Sequence, residues 1–339
     1  MARQLGGGRA VTAASRVSAV IPFLDPPVEF FSQAIESVIA QDYRPAELIL
    51  VNDGSREEAV TFAKAILGSE SFPVRYVEHG GGVNRGSSAS RNLGVSAATG
   101  EFIAFLDADD VWAPGKLSEQ TAYLRARPGL AMVFGQTRYW YSWRQGNASA
   151  SADFVVRRGV ERETAFEAPD FVARFLRGRV IVPSASNSMM RRDAYLACGG
   201  FEERFRGMYE DQAFLVKLGL GSSVAGVPKC WDSYRQHSGS MTARAGALGT
   251  ELVARRQFLE WVREYCAQQD VQDPALWEAI NKEAWLARAD SAGSSTRCRR
   301  IARKMKQWGL RVEESIVPAV VRQRLWGRDG LFSTQSRSG

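Results

Sequence analysis

Two aspartates one residue apart, Asp107 and Asp109 in Leu106-Asp107-Ala108-Asp109-Asp110, follow the apolar run 102–106. Carboxylates at the end of a buried strand can share a hard divalent cation. Mg2+ or Mn2+ takes oxygen ligands and keeps waters and substrate phosphates in its shell. Taken alone, the pair also reads as a turn with a helix cap ahead of Ala113-Pro114. Asp53, in Val51-Asn52-Asp53-Gly54-Ser55, can accept hydrogen bonds from a base or a ribose, or close an ordinary turn. In the stretch from Asn84 to Gly94, small residues let the backbone approach a ligand, and Arg91 offers a forked cation; the alternative is a loop running into a helix. Glu210 and Asp211 open a helical pattern, where carboxylates either complement the helix dipole or take a proton from a hydroxyl. His237, in Tyr234-Arg235-Gln236-His237, is either a metal or diphosphate contact or a structural histidine.

The elements that would position these groups follow from periodicity. Short apolar runs at 17–21, 47–51, 73–77 and 102–106 predict strands, and helical spacing predicts helices at 30–40, 57–67 and 88–98. Strands alternating with helices and ending in polar loops imply an α/β fold built on an open, largely parallel sheet. Ligands in such sheets sit at the carboxyl ends of the strands. Asp25, Asn52-Asp53 and the Asp107–Asp110 cluster fall at those ends, so one sheet edge should gather them. Past Ala131 the pattern loosens into an aromatic cluster at 139–143 and a polar loop at 145–152. Helices are expected at 170–176 and from Glu210, and after a linker at 243–249 again at 252–268, 274–288 and 298–308.

Composition narrows the function classes. With 45% hydrophobic and 24% charged residues the chain is of ordinary globular make-up. Its net charge of +7 is unevenly placed. Residues 291–339 hold 11 Arg and Lys against 3 Asp and Glu, a net +8, leaving −1 for everything before them. The body is therefore near neutral, and a nucleic-acid polymer is not an expected partner. Cys198, Cys230, Cys266 and Cys298 are too dispersed for a zinc knuckle or a CxxC site. His79 and His237 are the only histidines, too few for a histidine-rich metal centre.

Taken together and in this order, the segments resemble the family 2 glycosyltransferases of GT-A fold. The resemblance runs from Val17 to about Thr242 and rests on Val20-Ile21-Pro22, Gln41-Asp42-Tyr43, Asn52-Asp53-Gly54-Ser55, and Asn84-Arg85-Gly86 with Arg91-Asn92 and Gly94. It continues through Leu106 to Asp110, Gly199-Gly200-Phe201, Glu210-Asp211, and Tyr234-Arg235 with His237. It implies a Rossmann-like GT-A domain over 17–242, divided into a nucleotide-binding half (17–130) and an acceptor half (131–242). A flexible leader would span 1–16 and a basic helical C-terminal extension 250–330. It also implies roles. Pro22, Asp25, Asp53, Arg91, Asp107 and Ala108 would line the nucleotide-sugar donor, with Asp53 and Arg91 at the base and Asp107 at the ribose. Asp109 and His237 would hold Mg2+ or Mn2+ on the diphosphate, and Asp211, supported by Glu210, would be the catalytic base. The expected reaction is metal-dependent transfer of a sugar, with inversion, from a nucleotide-diphosphate donor such as a UDP-sugar. The acceptor is a glycan, a lipid-linked or another hydroxyl, in polysaccharide or glycoconjugate biosynthesis.

Two alternatives stay open at this point: a nucleotidyltransferase, and an inactive nucleotide-sugar-binding protein. The expected location is cytoplasmic. Ile301, Met305, Trp308 and Val312 recur at helical spacing among Arg300, Arg303, Lys304 and Arg311. Such a helix suits either a peripheral contact with the inner face of the cell membrane or packing on a protein surface.

Overall fold

The computed structural model describes residues 17–68, 72–144, 152–241, 243 and 249–291. The expected leader at 1–16 and the basic helix at 298–308 lie outside the described residues. Within them, strands β1 (Val17–Phe23), β2 (Glu47–Asn52), β3 (Val74–Glu78) and β4 (Phe102–Phe105) pair in parallel in the order β3-β2-β1-β4. Helices α1 (Val28–Ile39), α2 (Glu57–Ala65) and α3 (Ser87–Ala97) connect them.

Alternation along each strand sorts its side chains between two apolar layers. Ala19, Ile21, Leu48, Leu50 and Ala104 face the layer completed by Phe31, Ile35 and Val38 of α1 and Leu117 and Leu124 of α4 (Lys116–Arg125). Val20, Ile49, Val51, Ile103 and Phe105 face the opposite layer, against Val95 of α3. A Cβ on Gly94 of α3 would lie 2.4 Å from Val20 Cγ1, so only glycine lets this helix settle onto β1 and β2.

Beyond β4 the sheet continues through short antiparallel strands and one long parallel ladder. After β5 (Val111–Trp112) comes β6 (Leu130–Trp140), flanked by β7 (Phe154–Val156). β8 (Thr164–Phe166) and α5 (Asp170–Leu176) precede β9 (Met189–Arg191), α6 (Arg192–Ala197), α7 (Glu210–Gly221) and β10 (Ser223–Arg235). β9 is antiparallel to both β4 and β6, and β6 runs parallel to β10. β6 and β10 therefore point the same way as β1 and β4, and all their carboxyl ends share one edge. The residues past Ala131, where the hydrophobic pattern fades, thus form a strand of 11 residues. Its second half is buried by polar contacts: Asn187 Nδ2 donates to the Gln136 carbonyl (2.8 Å) and to Asp232 Oδ1 (2.6 Å).

Lys116 is fully buried beside this seam. Its Nζ donates to Gln120 Oε1 (2.5 Å) and to the carbonyls of Asn187 and Ser188 (both 3.1 Å). Burial pulls its pKa down to about 7, against the pull of Asp232.

The predicted C-terminal helices appear as α8 (Glu251–Gln268) and α9 (Pro274–Ser291). Phe258, Leu259, Trp261 and Val262 of α8 and Leu276 and Ile280 of α9 join the same apolar layer as Val20 and Phe105. Among the described residues no helix is long and apolar enough to cross a membrane.

Candidate active site

The expected sheet edge does gather the acidic residues. Asp25 follows β1, Asp53 follows β2, and Asp107 to Asp110 follow β4. His237 follows β10. α7 leads into β10 from the opposite direction, so its first turn, with Glu210 and Asp211, also opens at this edge.

Asp53 is buried, and its carboxylate is engaged by the loop before α3. Oδ1 accepts from the backbone N–H groups of Arg85 (2.7 Å) and Gly86 (3.0 Å), and Oδ2 from Gly86 (3.0 Å). His79 Nε2 lies 3.7 Å from Oδ1 and hydrogen-bonds Ser90 Oγ at 3.0 Å. Asp25 holds the next turn: Oδ1 accepts from the Arg56 backbone N–H (2.7 Å) and Oδ2 from Arg56 Nε (3.1 Å). Pro22 sits in β1 opposite Val51. Asp53 therefore fixes the start of α3, the helix that delivers Arg91.

Arg91 is buried. It donates from Nη2 to Asp107 Oδ1 at 2.6 Å, and its guanidinium lies 5.0 Å from the centre of the Phe201 ring. Its Nε and Nη1 are buried without a hydrogen-bond partner. Burial works against its charge, but Asp107, Glu210 and Asp211 outweigh that and hold its pKa above the usual arginine value. One cation thus faces three of the carboxylates singled out in the sequence. Glu210 is buried, with Ser87 Oγ 3.4 Å from Oε1. Asp211 accepts the Gln212 N–H at 2.7 Å. Burial, with the neighbouring Glu210 charge, raises the Asp211 carboxyl from 3.8 to about 7. A carboxylate poised near neutrality suits a general base.

A second group lies at the end of β10. His237 Nε2 and Asp109 Oδ2 are 2.9 Å apart. Arg235, buried among the rings of Phe30 (4.2 Å) and Trp140 (4.4 Å), donates from Nε to the Asp109 carbonyl at 2.7 Å. The Arg235 backbone N–H donates to Asp110 Oδ1 at 3.0 Å. Asp110 is buried and accepts Ser186 Oγ at 3.0 Å. Burial first, then the charges of Asp109, Asp107 and Asp232, raise its pKa well above the carboxylate range. Ser186 Oγ in turn accepts the Asp107 N–H at 3.1 Å, and Ala108 is buried between the two site aspartates.

Among the described residues no group of three or more His, Cys, Asp or Glu is set to hold a metal. The Asp109–His237 pair supplies one carboxylate oxygen and one imidazole nitrogen. That donor set fits a hard or borderline divalent ion.

Residues 18–198, more than half of the chain, match the family model described as Glycosyl transferase family 2. The chain belongs to this family. It is 36% identical over 101 residues to the uncharacterized glycosyltransferase YibD of Escherichia coli K12, covering 30% of this chain and 28% of that protein. It is 27% identical over 157 residues to the GalNAc(5)-diNAcBac-PP-undecaprenol beta-1,3-glucosyltransferase of Campylobacter jejuni, covering 46% of this chain and 47% of the relative. The matches thus span from about a quarter to about half of these curated relatives. Among solved structures, S. aureus TarS 1–349 in complex with UDP-GlcNAc superposes with a TM-score of 0.54 at 15% identity, over 87% of this chain and 88% of that one. The mannosyltransferase PcManGT of Pyrobaculum calidifontis, in complex with GDP-Man and Mn2+, gives 0.54 at 17% identity, over 86% and 80%. These likenesses show the GT-A fold, an open, curled sheet flanked by helices. Membership in a glycosyltransferase family sets aside the nucleotidyltransferase alternative.

The contacts also give structural roles to residues for which sequence reasoning gave none. Arg235, Ser186, Asn187 and Asp110 brace the site from below. Asn92 pins Gly199-Gly200-Phe201 to α3: its Oδ1 accepts the Tyr195 hydroxyl (2.6 Å) and the Phe201 N–H (2.9 Å), and Nδ2 donates to the Phe201 carbonyl (3.0 Å). This clamp sets the Phe201 ring under Arg91. Gly200 has φ +61, and a Cβ there would stand 2.6 Å from Asn92 Oδ1 and 2.9 Å from the Tyr195 ring. Left-handed strain and overpacking each cost about 1–2 kcal/mol or more. Gly200→Ala is therefore expected to lower Tm by roughly 4–16 °C, on a scale of about 2–4 °C per kcal/mol. A melting curve checks this, and an unchanged Tm would show that the clamp carries no weight.

Proposed function

We propose that this glycosyltransferase moves a sugar from a nucleotide-diphosphate donor, a UDP-sugar in the first instance, onto an acceptor hydroxyl with inversion. The observation that carries the reading is the convergence, at one sheet edge, of the Arg91–Asp107–Glu210–Asp211 group and the Asp109–His237 pair. Asp107 and Arg91 would hold the ribose and base side of the donor, over a floor kept in place by Asp53. Asp109 and His237 would hold Mg2+ or Mn2+, which when bound neutralises the diphosphate leaving group. Asp211 would take the proton of the attacking hydroxyl, and Glu210 beside it keeps that carboxyl basic enough to do so. Arg91 balances the carboxylate charge as the reaction proceeds. Positioning and charge placement carry such a reaction, because its oxocarbenium-like transition state needs little covalent help.

The acceptor proposed is a glycan or lipid-linked hydroxyl in polysaccharide or glycoconjugate synthesis. The Campylobacter relative, a GalNAc(5)-diNAcBac-PP-undecaprenol beta-1,3-glucosyltransferase, supports this class. The acceptor would approach past Tyr139, Tyr141 and Phe154, whose rings stack at the end of β6. A panel of UDP- and GDP-sugars, each with and without Mn2+, tests the donor assignment by thermal stabilisation, since a ligand of the folded form raises Tm. At least one nucleotide sugar should stabilise the chain only when the ion is present. Stabilisation indifferent to the ion in every case would refute the metal role.

A further inference from the structure

The two carboxylates at the start of α7 directly follow Tyr209, whose backbone is left-handed (φ 67, ψ 9). Side chains with a Cβ resist this conformation, and such strain persists only where the surroundings hold it. The holding contacts come from the C-terminal helices. The Tyr209 ring stacks on Phe258 of α8 at 4.9 Å and 13°. Arg255, one turn earlier on α8, brings its charge within electrostatic reach of the Tyr209 hydroxyl and is itself paired with Glu283 of α9. Phe258 is 2% exposed and Glu283 9%, so neither contact is a surface accident. The same helix grips the segment leading into Tyr209: Phe205 meets Trp261 edge-on at 5.3 Å, and the Phe205 carbonyl accepts Ser88 Oγ of α3 at 3.3 Å.

We propose that α8 and α9, which lie beyond the segment matched by the family model, are the positioning element for the Glu210–Asp211 pair, acting through Tyr209. Phe258 and Arg255 are positioning residues: they touch neither donor nor acceptor, and fix the backbone from which the base projects. The proposal rests on the reading of Asp211 as the base.

The test uses the full chain, with Mn2+ and whichever member of the UDP- and GDP-sugar panel it turns over fastest. Phe258→Leu keeps an apolar side chain but loses the stack. Arg255→Met loses the charge near Tyr209 and the pair with Glu283. Tyr209→Gly adopts the left-handed backbone without strain and so remains folded while losing the anchor. Each is expected to lower kcat by about 10–100-fold, the scale of a misplaced catalytic group, with donor KM held within about 2-fold. Combined with Asp211→Asn, none should add a further loss, because the pair acts as one unit. Arg255→Lys should recover part of the loss. Amide hydrogen exchange supplies a readout that needs no turnover: residues 210–213 should exchange faster in Phe258→Leu and Tyr209→Gly, with β1 and β4 unaltered. Unchanged kcat in all three variants, or losses that multiply with Asp211→Asn, would overturn the proposal. So would normal protection at 210–213, whatever Asp211 itself proves to do. If Asp211→Asn alone keeps full turnover while exchange at 210–213 still rises, the base assignment fails and the structural coupling stands.

Discussion

Replacing Asp211 by asparagine is expected to cut turnover by about 10²–10⁴-fold, the usual contribution of a positioned general base. Asparagine keeps the shape but cannot accept the proton, so donor affinity should be nearly unchanged. The pH profile gives a sharper check. Burial, with Glu210 alongside, holds the Asp211 carboxyl near 7 rather than 3.8. As a base it works only when ionised, so wild-type kcat/KM should rise with pH through about 7 and then level. The residual activity of Asp211→Asn should lack that limb. Stability should move the other way. A carboxyl whose folded pKa is raised binds its proton more tightly when folded, so its contribution is complete below about 3.8 and is lost as pH climbs through about 7. At pH 8 the wild type carries a half-buried charge that the variant lacks, and Asp211→Asn should melt about 2–4 °C higher. At pH 5 this advantage should largely disappear. A variant that is active, or no more stable at pH 8 than wild type, would remove Asp211 from the role.

Asp109→Ala should be comparably severe, at about 10²–10³-fold in kcat, the scale of a lost electrostatic group at a leaving-group oxyanion. Its signature differs from that of the base. Asp109 and His237 supply the two protein donors of the proposed ion site. Removing Asp109 should abolish the Mn2+-dependent part of the thermal shift with UDP and leave the ion-independent part in place. His237→Ala should weaken the same component less, because a carboxylate remains. Excess Mn2+ should partly rescue His237→Ala but not Asp109→Ala. A titration of Mn2+ against Tm, with UDP held constant, separates these outcomes. An undiminished ion response in Asp109→Ala would reject the assignment.

Much of the donor half was legible because its physics is local. β1, β2 and β4 are apolar on both faces and closed by polar turns, and α1 shows its buried stripe at Phe31, Ile35 and Val38. Asp25, Asp53 and the Asp107–Asp110 cluster stood out since each follows such a strand. The acceptor half was harder to read because its strands are buried by polar partners. Gln136 and Thr137 are only 8% exposed, yet they are hidden by Asn187, Asp232 and Val160 rather than by an apolar face. β10 is likewise broken by register shifts around Cys230, so period-two alternation fails. The bracing roles of Arg235 and Ser186 rest on contacts 126 and 76 residues away in sequence, which no local spacing encodes. Nor could spacing reveal that Asp53 spends its carboxylate on the amides of Arg85 and Gly86.

The polar seam at Lys116, Asn187 and Asp232 has a mechanical consequence. It fastens β6 and β10 to α4 and to the segment before β9, and hydrogen-bonded strands run unbroken from β3 to β10. A sheet so riveted behaves as one stiff plate, with no hinge between its donor and acceptor sides. Any movement that admits a substrate would then belong to exposed turns such as Gly80–Gly82, and not to the braced stretch at 200–209.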